Sequence, residues 1–327
     1  MTTANAFKAV DAAPVAVEKA NIQVALQGLE QQVTDPNKGL FGPGSMFWEV
    51  NRHTLVYFLG AVQSVQMQLC HPWIAKAVFE HSKIMSDPRR RAQLTYIYLW
   101  SIIYGDMETV SKKAKALFNV HERVSGVIGE AVGRHQESDK YQANEYSALL
   151  WVHVTAFYCR LKLYEQLIQP LTPVQRDQFC QEATRYAQCF GIPEEAHPKT
   201  WQDVENYVEA MAASNTLART EAGLKIRHFL EANIPAPLRG TLWNYLCAPL
   251  PERMQALLDQ PMATPQNLMR SRRIGWMLKQ FNRILPERIA FVPAYHEAMQ
   301  RIDGKSEPDW LTAKLNSIFL GTSKLVS

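Results

Sequence analysis

The chain has 327 residues, 47% of them hydrophobic and 20% charged, enough apolar material to bury a real core and too much for extensive disorder. Its five cysteines (Cys70, Cys159, Cys180, Cys189, Cys247) are odd in number, far apart and free of any Cys-x-x-Cys, which argues against a disulfide framework or structural zinc site and points to a reducing cytoplasm. The formal charge of +4 is uneven: residues 1–218 carry 20 Lys/Arg against 22 Asp/Glu, and residues 219–327 carry 15 against 9.

From Met1 to Asn21 no basic region precedes a continuous apolar run, so the opening reads as a polar, alanine-rich arm and not as a secretory signal. Ser45 predicts an N-cap for one helix running through Trp48 and Val56 towards Leu69, broken at His71-Pro72. Ser86-Asp87-Pro88 is a cap with proline in the first turn and predicts a helix from Arg89 to about Tyr104. A shorter helix is expected from about Met107 to Leu117. Ala143 to Ile168 is apolar on several faces and lacks Gly and Pro, the pattern of a largely buried helix. Thr172-Pro173 repeats the cap-plus-proline signal, with a stop at Gly191 before Pro193, and Thr200 to Asp203 resembles a capping box for a helix through Met211.

The basic excess of the C-terminal third gathers at Arg270, Arg272, Arg273, Lys279, Arg283 and Arg288. Ile274, Trp276, Met277 and Leu278 interleave with it, so it reads as an amphipathic helix with a solvated basic edge and not as a nucleic-acid site. No segment approaches the roughly 18 uninterrupted apolar residues that span a bilayer, which leaves only peripheral membrane contact. Neither sustained period-two alternation nor a hairpin turn is found. The fold class is therefore all-α, a single multi-helix domain. Residues 1–40 form an arm and first helix, 41–235 the core, and 236–327 a helical extension packed on it.

Several chemistries lack their motifs: there is no Gly-x-Gly-x-x-Gly, Walker loop, Gly-x-Ser-x-Gly elbow, His-Glu-x-x-His or pair of Glu-x-x-His. What remains is a histidine-centred cofactor or none. His121 lies in Val120-His121-Glu122-Arg123-Val124-Ser125-Gly126, and His153 in Leu149-Leu150-Trp151-Val152-His153. Arg91 and Thr95, at i and i+4, share one helix face upstream. His153, on an apolar helix, needs a hydrogen-bond partner and reads equally as a core residue or a cofactor contact. His71 reads as a helix-junction residue, and Trp100, Tyr104 and Trp151 as aromatic surface of the core or of a macrocycle.

Taken in order, these pieces resemble a known family. Gly42-Pro43-Gly44-Ser45, Trp48, Gln68 to Pro72, Arg91, Thr95, Tyr104-Gly105, Val120-His121, Tyr141, Leu149 to His153, Pro170 to Thr172, Gly191 to Pro193, Pro198 and Tyr207 to Met211 follow the order of one oxygenase family. It contains the latex-clearing rubber oxygenases and the mycophenolic-acid-pathway oxygenase. The resemblance implies a helical core related to the globin fold, b-type haem held through one axial histidine, and dioxygen chemistry on an apolar, prenyl- or lipid-like substrate. By position, His121 is the implied iron ligand, Arg91 and Thr95 the implied distal pair, and His153 a further cofactor contact. Neutral imidazole suits iron, and arginine suits a carboxylate.

The chain also departs from the rubber oxygenases. Leu94 stands where they have a lysine able to cap iron, and Ser125 where they have an arginine. Leucine cannot ligate a metal, so the distal side is expected to be open, and the smaller-substrate branch is the nearer analogy. A non-catalytic carrier or sensor of haem or an apolar ligand is the alternative, and the electron donor is not specified by any motif.

Overall fold

The computed structural model describes residues 15–261 and 264–325. Among them are sixteen α-helices and one small sheet. In chain order they are α1 (Lys19–Gln32), α2 (Met46–Asn51), α3 (Thr54–Gln68), α4 (Pro72–His81), α5 (Pro88–Tyr104), α6 (Met107–Glu122), β1 (Ser125–Val127), β2 (Lys140–Gln142), α7 (Tyr146–Leu167) and α8 (Pro173–Gln188). There follow α9 (Trp201–Ala213), α10 (Glu221–Ala232), α11 (Ala236–Cys247), α12 (Glu252–Leu257), α13 (Pro265–Ile284), α14 (Glu287–Ala290), α15 (Pro293–Ile302) and α16 (Trp310–Phe319). The all-α domain expected from the sequence is what forms.

Local chemistry explains most of the starts. Asp87 accepts from the Arg90 amide at 3.1 Å with Pro88 in the first turn of α5. Thr172 and Gln175 form a reciprocal capping box on α8, and Thr200 caps α9. Each cap satisfies amides that the first turn leaves without an intrahelical partner.

The centre of the core is the α3–α7 pair. Gly60 makes the approach close: a Cβ there would lie 2.8 Å from Arg160 Cγ. Arg160 is itself buried, and no carboxylate lies within ion-pair distance of it among the described residues. Its Nη1 donates to Asn51 Oδ1 at 2.8 Å, and its guanidinium sits 4.1 Å from the Tyr57 ring centroid. Trp100, Tyr104 and Trp151 are plain core, with Trp151 Nε1 donating to the Met67 carbonyl at 3.3 Å. One apolar cluster runs from Val17 to Leu325 and includes residues on both sides of position 235.

Three local expectations are corrected. The helix anticipated from Ser45 to Leu69 is two helices, because Arg52 O accepts from Val292 N at 2.7 Å and His53 bridges Phe291. A backbone engaged across the fold in this way cannot also continue a helix. The helix anticipated to stop at Leu117 continues to Glu122, so His121 is helical. Finally, β1 and β2 form an antiparallel hairpin that lacks alternation in sequence. Tyr141 pins it to α4, where its hydroxyl donates to Glu80 and meets His81 Nε2 at 3.0 Å. Residues 1–14 of the anticipated arm lie outside the described residues, and α1 already begins at Lys19.

Candidate functional site

Helices α5 and α6 are joined by Gly105-Asp106 alone, with Asp106 capping α6 through the Thr109 amide at 2.8 Å. Such a short connection makes neighbouring helices antiparallel. Arg91 and Thr95 on the first half of α5 therefore come level with His121 in the last turn of α6, at the open end of one helical hairpin.

Arg91 differs from its neighbours. Arg89 and Arg90 are exposed, whereas Arg91 is partly buried, so it is not merely a solvated helix start. Its Nε donates to Ser82 Oγ at 2.8 Å, and its Nη1 donates to Thr95 Oγ1. Thr95 Oγ1 in turn donates to the Arg91 carbonyl at 2.9 Å. The partners of the guanidinium are thus hydroxyls, and among the described residues no carboxylate forms an ion pair with it. Burial weakens its hold on the proton without removing the charge.

At His121 burial acts first and the Arg91 charge second, taking the imidazole down to about 4. A hydrogen bond with the Asn144 side chain opposes them. His121 is consequently neutral at physiological pH, the form that ligates metal. Asn144 also donates through Nδ2 to the Phe118 carbonyl at 3.2 Å, so the group that orients the ring is itself fixed to α6. Beside His121 lies a cavity of about 10 Å³, walled by Ile22, Leu117, Phe118, Asn144, Cys189 and Phe190 among others, with room for roughly one water.

His153 is elsewhere. In the second turn of α7 its ring stacks on Tyr186 and meets His197 edge-on, with centroids 4.8 Å apart. Burial and then the His197 charge drive its proton affinity well below the usual histidine value, against a hydrogen bond to the Ala183 backbone. The ring's Nε2 is nevertheless buried without a hydrogen-bond partner, so the pairing anticipated for an imidazole on an apolar helix is not complete. Phe190 stands between the two histidine sites: it lines the cavity at His121, and its ring is 6.3 Å from that of His153. His71 occupies the N-cap position of α4, beside Trp73 and His135, where burial takes it down to about 3. Leu94 is 39% exposed and lies on the solvent side of the Arg91–Thr95 face.

Sequence reasoning missed Asn144, Ser82, His197 and Phe190. Asn144 sits in an irregular link two residues before α7, a place with no periodicity to mark it. Among the described residues no cluster of three or more His, Cys, Asp or Glu is arranged around a metal ion, so His121 stands as a single donor.

Residues 48–280, more than half of the chain, match the family described as the ER-bound oxygenase mpaB/B'/rubber oxygenase catalytic domain. The chain belongs to this oxygenase family. No curated protein and no solved structure matches it significantly. The mpaB/rubber oxygenase segment contains Arg91, Thr95, His121, Asn144 and His153, whereas α1, which supplies Ile22 to the cavity wall, lies outside it. Membership assigns a general oxygenase role, in the oxidoreductase class.

Proposed function

We propose that the protein is a haem-b-dependent oxygenase that uses dioxygen on an apolar substrate of prenyl or lipid type. The observation that carries this reading is the neutral, Asn144-oriented imidazole of His121 set opposite a partly buried guanidinium with no carboxylate of its own. A b-type haem needs one neutral imidazole on iron and a cation for a propionate, and these two residues supply that pair. Leu117, Phe118, Ile22 and Phe190 offer apolar walls beside the ring. The cavity is only water-sized, so seating a macrocycle requires those walls to separate.

When bound, the haem would supply the iron that activates dioxygen. The chain's own contributions are separable. His121 would hold the metal from one side, with Asn144 fixing its tautomer. The Thr95 hydroxyl proton is held by the Arg91 carbonyl, so it would have to turn from that carbonyl to donate to a polar group on the other side, while Arg91 would hold the hydroxyl oxygen in place and counter negative charge. Leu94 gives no ligand, so the distal position would be left to water or reactants. Exclusion of bulk water by the apolar walls strengthens each of these interactions.

Oxygen uptake by the haem-loaded protein tests the reading. It should depend on added prenyl alcohols or unsaturated lipids and yield an oxygenated product. Haem binding without any substrate-dependent uptake would instead leave a carrier or sensor.

A further inference from the structure

The anticipated amphipathic helix is α13, and it is turned differently from what its sequence suggested. Its buried residues are Ser271 and Gly275, with Ile274 and Leu278 partly covered beside them, against α11 and α7. A Cβ at Gly275 would lie 2.4 Å from Gln166 Nε2, the movable end of that side chain, and 3.4 Å from Tyr245 Cε2, so α13 sits close to its neighbours here. Small residues bring the helix close along a narrow inner stripe. The larger apolar residues are left facing out: Trp276 is 65% exposed, Met277 62% and Ile284 78%, joined by Met269 and Phe281.

At 3.6 residues per turn, Met269, Arg273, Trp276, Met277, Gln280 and Ile284 recur on one outer face. Arg270, Arg272 and Arg283 flank it, and all three are exposed. Over its 20 residues α13 carries five Lys/Arg and no Asp or Glu. Among the described residues none of these cations reaches a carboxylate within ion-pair distance, and Arg283 finds only Gln280 Oε1 at 3.4 Å. Exposed large apolar groups on one helix normally mark an interaction surface.

We propose that the outer face of α13 docks the protein on an anionic lipid bilayer, with the helix lying in the plane of the interface. Trp, Met, Phe and Ile would enter the headgroup–acyl boundary while the arginines engage lipid phosphates. The helix is not apolar enough to cross, in keeping with the absence of any spanning helix among the described residues. Charge complementarity favours lipid over a second copy, because pairing two such faces would bring ten cations together without a carboxylate from either helix. The cation set matches a surface of anionic headgroups, where each Lys or Arg contributes on the order of 1 kcal/mol.

The full-length protein should co-float with phosphatidylcholine vesicles containing phosphatidylserine, should release in high salt, and should not bind vesicles of phosphatidylcholine alone. Brominated acyl chains should quench part of its tryptophan fluorescence, and that part should vanish in Trp276→Phe. Arg272→Gln with Arg273→Gln should weaken vesicle binding about 30-fold, and Trp276→Ser with Met277→Ser by more than about tenfold, with the melting temperature unchanged. Failure to bind the anionic vesicles, equal binding to both kinds, or binding indifferent to these substitutions would overturn the proposal. So would a dimer in solution that shields Trp276 from a soluble quencher, since the face would then belong to a second copy.

Discussion

The Arg91 guanidinium, on α5, lowers the proton affinity of His121 on α6 across the open end of one helical hairpin. Burial of the guanidinium carries a desolvation cost, and the imidazole beside it escapes repulsion by staying neutral. Neither has a carboxylate to offset it among the described residues, and that is the feature from which the haem reading grows.

Thr95→Val separates distal chemistry from cofactor retention. Valine keeps the β-branched shape and removes the hydroxyl that Arg91 holds. Haem content should stay near that of the parent, while turnover should fall on the order of a hundredfold, as for loss of one placed donor. Pyridine haemochromogen content and initial rates check this. Equal turnover in the variant would remove Thr95 from the distal side.

Leu94 sets the expected ligand-binding behaviour. With no lysine to displace, the ferrous haem form should take up carbon monoxide rapidly in one phase. Because Leu94 lies on the solvent side of the Arg91–Thr95 face, Leu94→Lys should leave that uptake rapid. Stopped-flow traces that are already slow in the parent would mean another side chain occupies the distal side.

Acid should destabilise the apoprotein over a defined window. His121 is held at about 4, and His71 and His197 at about 3, against an ordinary value of 6.5. The unfolded chain therefore binds more protons than the fold below about pH 6.5, and stability falls as pH drops from there towards 4 and then 3. Each such histidine adds a slope of up to roughly 1.4 kcal/mol per pH unit. Urea melts at successive pH values measure it; a midpoint that stays constant between pH 7 and 5 would contradict the burial assigned to these rings.

Asn51→Ala removes the one side-chain acceptor given to the buried Arg160. Leaving that charge with only the Tyr57 ring should cost about 3 kcal/mol, read from the shift in denaturation midpoint. Asn51→Asp restores an acceptor and should recover most of the loss.

Helix starts were legible wherever the signal was local. Asp87-Pro88, Thr172-Pro173 and Thr200 act within one turn, so the residues alone carry them. The break at Arg52-His53 was not legible, because it depends on Phe291 and Val292, more than 200 positions away. The β1–β2 hairpin was missed for a similar reason, since its anchor is Tyr141 reaching across to α4. At the candidate site the motif order brought Arg91, Thr95 and His121 together, but not Asn144, whose place is set by a loop. His153, legible either as a core residue or as a cofactor contact, packs behind Phe190 with His197. The outward turn of Trp276 and Met277 depended on which stripe of α13 the core took, and that stripe holds the small residues Ser271 and Gly275.

Haem titration of the purified protein, followed by its absorption spectrum, tests the central claim most directly. The parent should give a saturable Soret band at one haem per chain. His121→Ala should lose or strongly weaken that band while keeping its helical circular dichroism, and Asn144→Ala should lower haem affinity by about tenfold through loss of ring orientation. A His121→Ala spectrum identical to the parent's, or a parent that binds no haem, would contradict the assignment of His121 as the axial ligand.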